Sequence, residues 1–143
     1  MRAGGAKPGS PEETREFFRA RYGRERSEAA RTVERVVLGH EVGLNGYTTL
    51  SEADRLVECL ELSPDSLLLD VGAGCGWPGT HIAESSRCRV VLSDIPVEAL
   101  RQARRHARRR GVSNRVRVVC AEGAALPFVA RSVDAVVHAD VLC

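Results

Sequence analysis

Aromatic side chains are scarce in this 143-residue chain, which has one tryptophan, two tyrosines and three phenylalanines, 4% of the whole. A nucleic-acid platform of stacked rings would have little to work with. Long apolar runs are also missing: none approaches the roughly 18 residues of a membrane-spanning helix, and residues 1–13 lack the apolar segment of a secretory signal. These absences predict a cytoplasmic protein with no membrane partner. Neither charge sign is in excess, because 21 basic and 19 acidic residues leave +2 with the histidines neutral. A polyanion-coating protein and an acidic tail are thereby excluded. Cysteine pairs of the C-x-x-C kind are lacking too. The five cysteines, Cys59, Cys75, Cys88, Cys120 and Cys143, are odd in number and scattered, with no histidine at zinc-ligand spacing. They read as reduced, buried or half-buried thiols, and no metal is expected.

With 43% hydrophobic and 28% charged residues, the composition is that of one globular domain with a modest core. Residues 1–10 form a loose, small-residue tail. Ser10, Pro11 and Glu13 make a capping box that opens a helix carrying Phe17, Phe18 and Tyr22. Ser27 caps a second helix, in which Ala29, Val33, Val36 and Val37 fall on one stripe and which Gly39 ends. After an irregular stretch at residues 43–47, a second capping box, Thr49 to Glu52, opens a third helix with Ala53, Leu56, Val57 and Leu60 on one side. Residues 11–62 thus read as a helical cap.

From residue 63 the rhythm changes. Leu67 to Val71 is a nearly continuous apolar run, as in a parallel strand buried on both faces. A glycine-rich turn follows, then a short helix from about Pro78. Arg89 to Ser93 reads as a strand ending at Asp94, and Pro96 to Arg110 as a helix stopped by Gly111. Val116 to Cys120 and Val133 to His138 complete four strands. Strands alternating with helices imply right-handed crossovers and a parallel sheet, so residues 63–143 predict an α/β, doubly wound portion that shares one core with the cap.

The chemistry concentrates at Asp70-Val71-Gly72-Ala73-Gly74-Cys75-Gly76, where a strand hands over to a helix. Glycines there permit positive φ and let the backbone approach a ligand. Asp94 lies 22 residues after Gly72, at the end of the next strand, where a carboxylate can accept from both hydroxyls of a ribose. A nicotinamide fingerprint, G-x-G-x-x-G from Gly72, fails because its sixth position is Trp77. Asp70 also suits a cationic ligand better than a pyrophosphate.

These residues resemble motif I of the class I S-adenosylmethionine-dependent methyltransferases, and Val91-Leu92-Ser93-Asp94 resembles the acidic motif that follows it. Val119 to Gly123, Leu126-Pro127-Phe128 and Ser132 to Val137 are similar to the rest of that family's cofactor-binding half. The resemblance covers about residues 45 to 143. It implies a Rossmann-like sheet and S-adenosyl-L-methionine as cofactor. The Gly72-Ala73-Gly74 backbone would lie against the methionine part, while Asp70 would organise the turn and help neutralise the amino group. Asp94 would hold the ribose, Ile95 would lie against the adenine, and Ala121 and Glu122 would reach the adenine edge, though the family often has aspartate at the last position. His138, Ala139 and Asp140 would stand where sulfonium and acceptor meet, and residues 45–49 would close over the cofactor.

The family's sheet has seven strands, in the order 3-2-1-4-5-7-6. Four are present, predicting the order 3-2-1-4 and an apolar fourth strand at the edge. A fragment or truncated product, or a self-associating chain, is the expectation.

Simpler roles compete with these. His138 reads first as a core or ordinary strand residue, Tyr47 equally as packing, and Trp77 as an anchor for the helix start. The arginines of residues 101–110 read as a solvated helix face favoured by the helix C-terminus, with nucleic acid not expected as a partner. The function read from the sequence is methyl transfer to a small-molecule acceptor, with the catalytic residue unknown. An inactive cofactor-binding or interaction module is the alternative, followed by an NAD-dependent oxidoreductase.

Overall fold

The computed structural model describes residues 10–24, 26–38, 41 and 46–141. The tail at 1–9, Gly39, Asn45 and Cys143 lie outside the described residues. Three helices come first, α1 (Pro11–Gly23), α2 (Glu28–Leu38) and α3 (Leu50–Leu60). Capping chemistry starts each of them. The Glu13 amide donates to Ser10 Oγ while Glu13 Oε2 accepts from the Ser10 amide. Thr49 and Glu52 repeat this reciprocal pair at α3, and Ser27 Oγ accepts from the Ala30 amide at α2.

The remaining elements are β1 (Leu67–Val71), α4 (Gly79–Ser86), β2 (Arg89–Asp94), α5 (Val97–Arg109), β3 (Val116–Cys120) and β4 (Ala135–Val137). All strands are parallel, in the order β3-β2-β1-β4. The fold is α/β and Rossmann-like, with the expected strand order. Some boundaries differ from expectation, and α5 is one residue shorter at each end, with Pro96 and Arg110 as its caps. β4 covers Ala135–Val137 rather than Val133 to His138, because the Asp134 side chain accepts from the Leu67 amide at 2.7 Å and so marks where pairing with β1 begins. α4 begins at Gly79, with Pro78 at the N-cap.

Register puts Leu68, Val90 and Val116 on one face of the sheet, joined by Leu92 and Val137. That face packs on Ile82 and Ala83 of α4 and on Ala103 and Ala107 of α5, all nearly solvent-free. Leu56, Val57 and Leu60 of α3 pack against the same cluster. Each valine, leucine or isoleucine side chain so buried contributes about 1.5–3 kcal/mol relative to exposure. α1 lies on α5 instead. In α2 the valine stripe points away from the core: Val33, Val36 and Val37 are exposed, and Glu34 is the buried residue, paired with Arg26 at 2.6 Å.

Cys75 and Cys88 are buried as expected, whereas Cys59 and Cys120 are exposed, the first on the outer side of α3 and the second at the rim of the sheet. No helix among the described residues is long and apolar enough to cross a membrane.

Candidate functional site

The glycine turn is built by the strand it leaves. β1 and β2 end side by side, and the Ser93 carbonyl accepts from the Gly72 and Ala73 amides at 2.8 and 3.0 Å. The chain then reverses through left-handed backbone at Gly72, Gly74 and Gly76, with φ of 71°, 53° and 95°, a region that residues with a Cβ rarely enter. Asp94 closes the turn: its Oδ2 accepts from the Gly74 amide and its Oδ1 from the Ile95 amide, both at 2.7 Å. Glycine loop and carboxylate, read jointly in the sequence, are one hydrogen-bonded unit.

Asp70 sits beneath that unit, 1% exposed. Its Oδ2 accepts from the Gly79 amide at 3.0 Å, tying the end of β1 to the start of α4. Among the described residues its Oδ1 has no hydrogen-bond partner. Burial pushes the Asp70 carboxyl up to about 8, against the Gly79 amide, which lowers it, and with repulsion from Asp94, which adds to the rise. Burial also raises the Asp94 carboxyl, opposed by its two amide donors. A Cβ on Gly79 would fall 2.5 Å from Asp70 Oδ2 and 2.6 Å from Leu92 Cδ2, so this fourth glycine, which in the sequence would complete a late G-x-G-x-x-G register from Gly74, is demanded by the buried carboxyl.

The rim of the site gathers the other expected residues. Ala121 follows β3, and its amide donates to the Asp94 carbonyl at 3.1 Å. Half-buried Ile95 lies beside it. Glu122 is exposed and takes Arg15 of α1 at 2.8 Å. His138 comes directly after Val137, which pairs with Asp70, and is exposed. It is therefore neither a core nor a strand residue, because β4 ends before it. Asp140 is engaged within the chain: its Oδ2 accepts from the Tyr47 amide, the Thr48 amide and Thr48 Oγ1 at 2.9, 3.2 and 2.9 Å. The Tyr47 ring is 88% exposed, so the packing role fails for it. Trp77 does anchor the start of α4, donating to the Thr48 carbonyl at 2.8 Å and packing on Ala53. It fills the place of the nicotinamide fingerprint's last glycine.

Sequence reasoning missed the two side chains that cover the turn. A Cβ on Gly74 would meet Tyr22 Oη at 2.8 Å, and one on Gly72 would meet Val141 Cγ2 at 2.4 Å. No short-range pattern announces either contact, because both join residues far apart in the chain. Behind the turn, the Cys75 thiol donates to Gln102 Oε1 at 3.4 Å, and burial pushes its pKa up to about 12. Such a thiol stays protonated and inert. Among the described residues no cluster fits a metal ion.

A glycine cradle at the carboxyl end of a parallel strand, with a carboxylate ending the next strand, defines a nucleoside-binding domain of the doubly wound class. Comparison with known proteins narrows the class. The methyltransferase domain family matches residues 68–143. The chain belongs to that family, the class I S-adenosylmethionine-dependent methyltransferases, whose cofactor is S-adenosyl-L-methionine. It is 34% identical over 90 residues to 24-methylenesterol C-methyltransferase 2 of Oryza sativa subsp. japonica, covering 63% of this chain and 25% of that protein. Against botryococcene C-methyltransferase of Botryococcus braunii it is 32% identical over 102 residues, covering 71% of this chain and 27% of the relative. The chain thus spans about a quarter of the length of these curated relatives. A solved RNA methyltransferase from Salinibacter ruber, in complex with S-adenosyl-L-homocysteine, is similar at a TM-score of 0.51 and 25% identity, over 53% of this chain and 50% of that one. The glycine turn fits the cofactor in offering bare backbone, which the side chains of Tyr22 and Val141 cover in this structure, while Asp70 Oδ1 is enclosed beneath the turn with no hydrogen-bond partner among the described residues.

Proposed function

We propose that this chain is the cofactor-binding part of a cytoplasmic enzyme that methylates a small-molecule acceptor. The observation that carries this reading is the 2.7 Å bond from the Gly74 amide to Asp94, which sets cradle and carboxylate at one distance and orientation. The cofactor supplies, when bound, a methyl group made electrophilic by its sulfonium. The work left to the protein is to orient the reactants and exclude water.

In this reading the Gly72-Ala73-Gly74 backbone receives the methionine part. Asp70 holds the turn from beneath through Gly79; buried and proton-bearing, it does not neutralise the amino group as the resemblance implied. Asp94 uses the lone pairs not taken by Gly74 and Ile95 to accept from the ribose hydroxyls. Ile95 packs on the adenine, with Ala121 and Glu122 along its edge, and His138 borders the acceptor side. No residue is assigned as a base, since in-line attack on a sulfonium methyl does not demand one. The names of the two relatives, a sterol and a botryococcene C-methyltransferase, support an apolar acceptor methylated at carbon.

Calorimetry tests the site. Asp94→Ala should weaken S-adenosyl-L-methionine binding by about 1–3 kcal/mol if both ribose hydrogen bonds are lost. Unchanged affinity would sink the assignment.

One observation favours self-association, and with it the second reading, a cofactor-binding or interaction module without turnover. Among the described strands β4 is paired on one side only, and its Val136 is 52% exposed. An apolar edge of this kind recruits another strand. A methyl-transfer assay separates enzyme from module, and a single monomer peak in size-exclusion chromatography across a concentration series removes self-association.

A further inference from the structure

Behind the glycine turn, between α5 and the α1–α2 pair, lies a cleft of about 420 Å³. Its walls are strongly basic. Arg24 follows α1, Arg31 lies on α2, and Arg105 and Arg109 lie one turn apart on α5. Among the described residues none of these four is ion-paired. Arg26 also lines the cleft but is held by the buried Glu34 at 2.6 Å. The lining carboxylate, Glu41, is held by Arg35 at 2.6 Å.

A solvated helix face with a favourable dipole accounts for Arg109 in the last turn of α5. It does not account for Arg24 and Arg31, which reach the same cleft from other elements. Like charges gathered without a counter-ion repel one another, and an anion between them turns that repulsion into attraction. Planar guanidinium groups match phosphate oxygens two at a time. We infer that this cleft binds a small molecule through a diphosphate group, gripped from one wall by Arg24 and Arg31 and from the other by Arg105 and Arg109.

The cleft is wired to the glycine turn. Gln102 Nε2 donates to the Tyr22 carbonyl at 2.7 Å, and the His106 ring, through Nδ1, lies 3.0 Å from the Cys75 carbonyl. Burial lowers the His106 pKa, and Arg109 and Arg105 lower it further against the Cys75 carbonyl and Glu34, a local record of the positive potential. A nucleic acid fits less well. Arg104 and Arg108 open into a separate concavity with Arg117 instead of extending this wall, so the cleft offers a pocket rather than a track. The inference stands on this cleft alone and does not depend on methyl transfer.

Calorimetry on the full chain with inorganic diphosphate tests it. Saturable binding is expected, weakened about tenfold or more in R105Q/R109Q and likewise in R24Q/R31Q, because each pair removes charge-assisted hydrogen bonds. R104Q/R108Q should stay within about twofold of wild type, and the melting midpoints of all three should match it, since the replaced groups are exposed or, for Arg31, half-buried and without an ion pair among the described residues. A monoalkyl diphosphate separates the two sources of the group: tighter binding marks an ester as the ligand, equal binding the free anion. No saturable heat, or equal losses in all three variants, would overturn the inference. So would single-stranded RNA that binds more tightly than diphosphate, with a salt dependence that steepens with length.

Discussion

At the scale of single residues, the buried carboxyl of Asp70 is the least ordinary group in the molecule. Its pKa is pushed from 3.8 to about 8 by burial. The folded protein therefore holds a proton that the unfolded chain gives up. That contribution to stability is complete below about pH 4 and is lost as pH rises to about 8. Asp70→Asn keeps the shape without the titration. Urea midpoints at about pH 5 and about pH 8 should fall with pH more for wild type than for the variant. Parallel curves would show that Asp70 is ionised in the folded protein throughout. Asp94 differs because two backbone amides reach it, which keeps a carboxylate tolerable in a half-buried place.

Among the elements, α1 has the most to do with access to the site. Arg15 and Arg19 bind Glu122 and Glu98, the Tyr22 carbonyl accepts from Gln102, and the Tyr22 hydroxyl covers Gly74. A ligand lying on the glycine backbone must move that ring aside. Amide exchange over residues 14–24 should therefore speed up when S-adenosyl-L-homocysteine binds, read by mass spectrometry; unchanged or slower exchange there would contradict the displacement. The Asp140 link to residues 47 and 48 does for the segment after β4 what these contacts do for α1. α2 shows the limit of pattern reading. Its periodic valines identify a helix but not its burial, since an apolar stripe says which side could be covered and not whether a partner arrives.

In the molecule as a whole, stability rests on one face of the sheet. Ile82, with no solvent exposure, touches the shared core of strands, α4 and α5. Ile82→Ala should cost about 2–5 kcal/mol in chemical denaturation. Val36→Ser, at a residue 79% exposed, should stay within about 0.5 kcal/mol. A comparable loss at Val36 would mean that α2 is buried by self-association in solution.

The sequence by itself determined the local and periodic features. Both capping boxes and the four strands were legible, because side-chain spacing and cap chemistry act over a few residues, whereas the strand order was implied by the family resemblance. The glycine turn with Asp70 and Asp94 was legible as well, since a tight strand-to-helix reversal requires glycines in succession. Only the tertiary structure decided what covers what. That Tyr22 and Val141 lie on the glycines, that Gly79 leaves room for Asp70, that Asp140 holds residues 47 and 48, and that four arginines from three places meet in one cleft all depend on contacts across long stretches of chain. Such contacts follow from how helices settle on the sheet, which is set by the summed packing of many side chains and leaves no short-range signature.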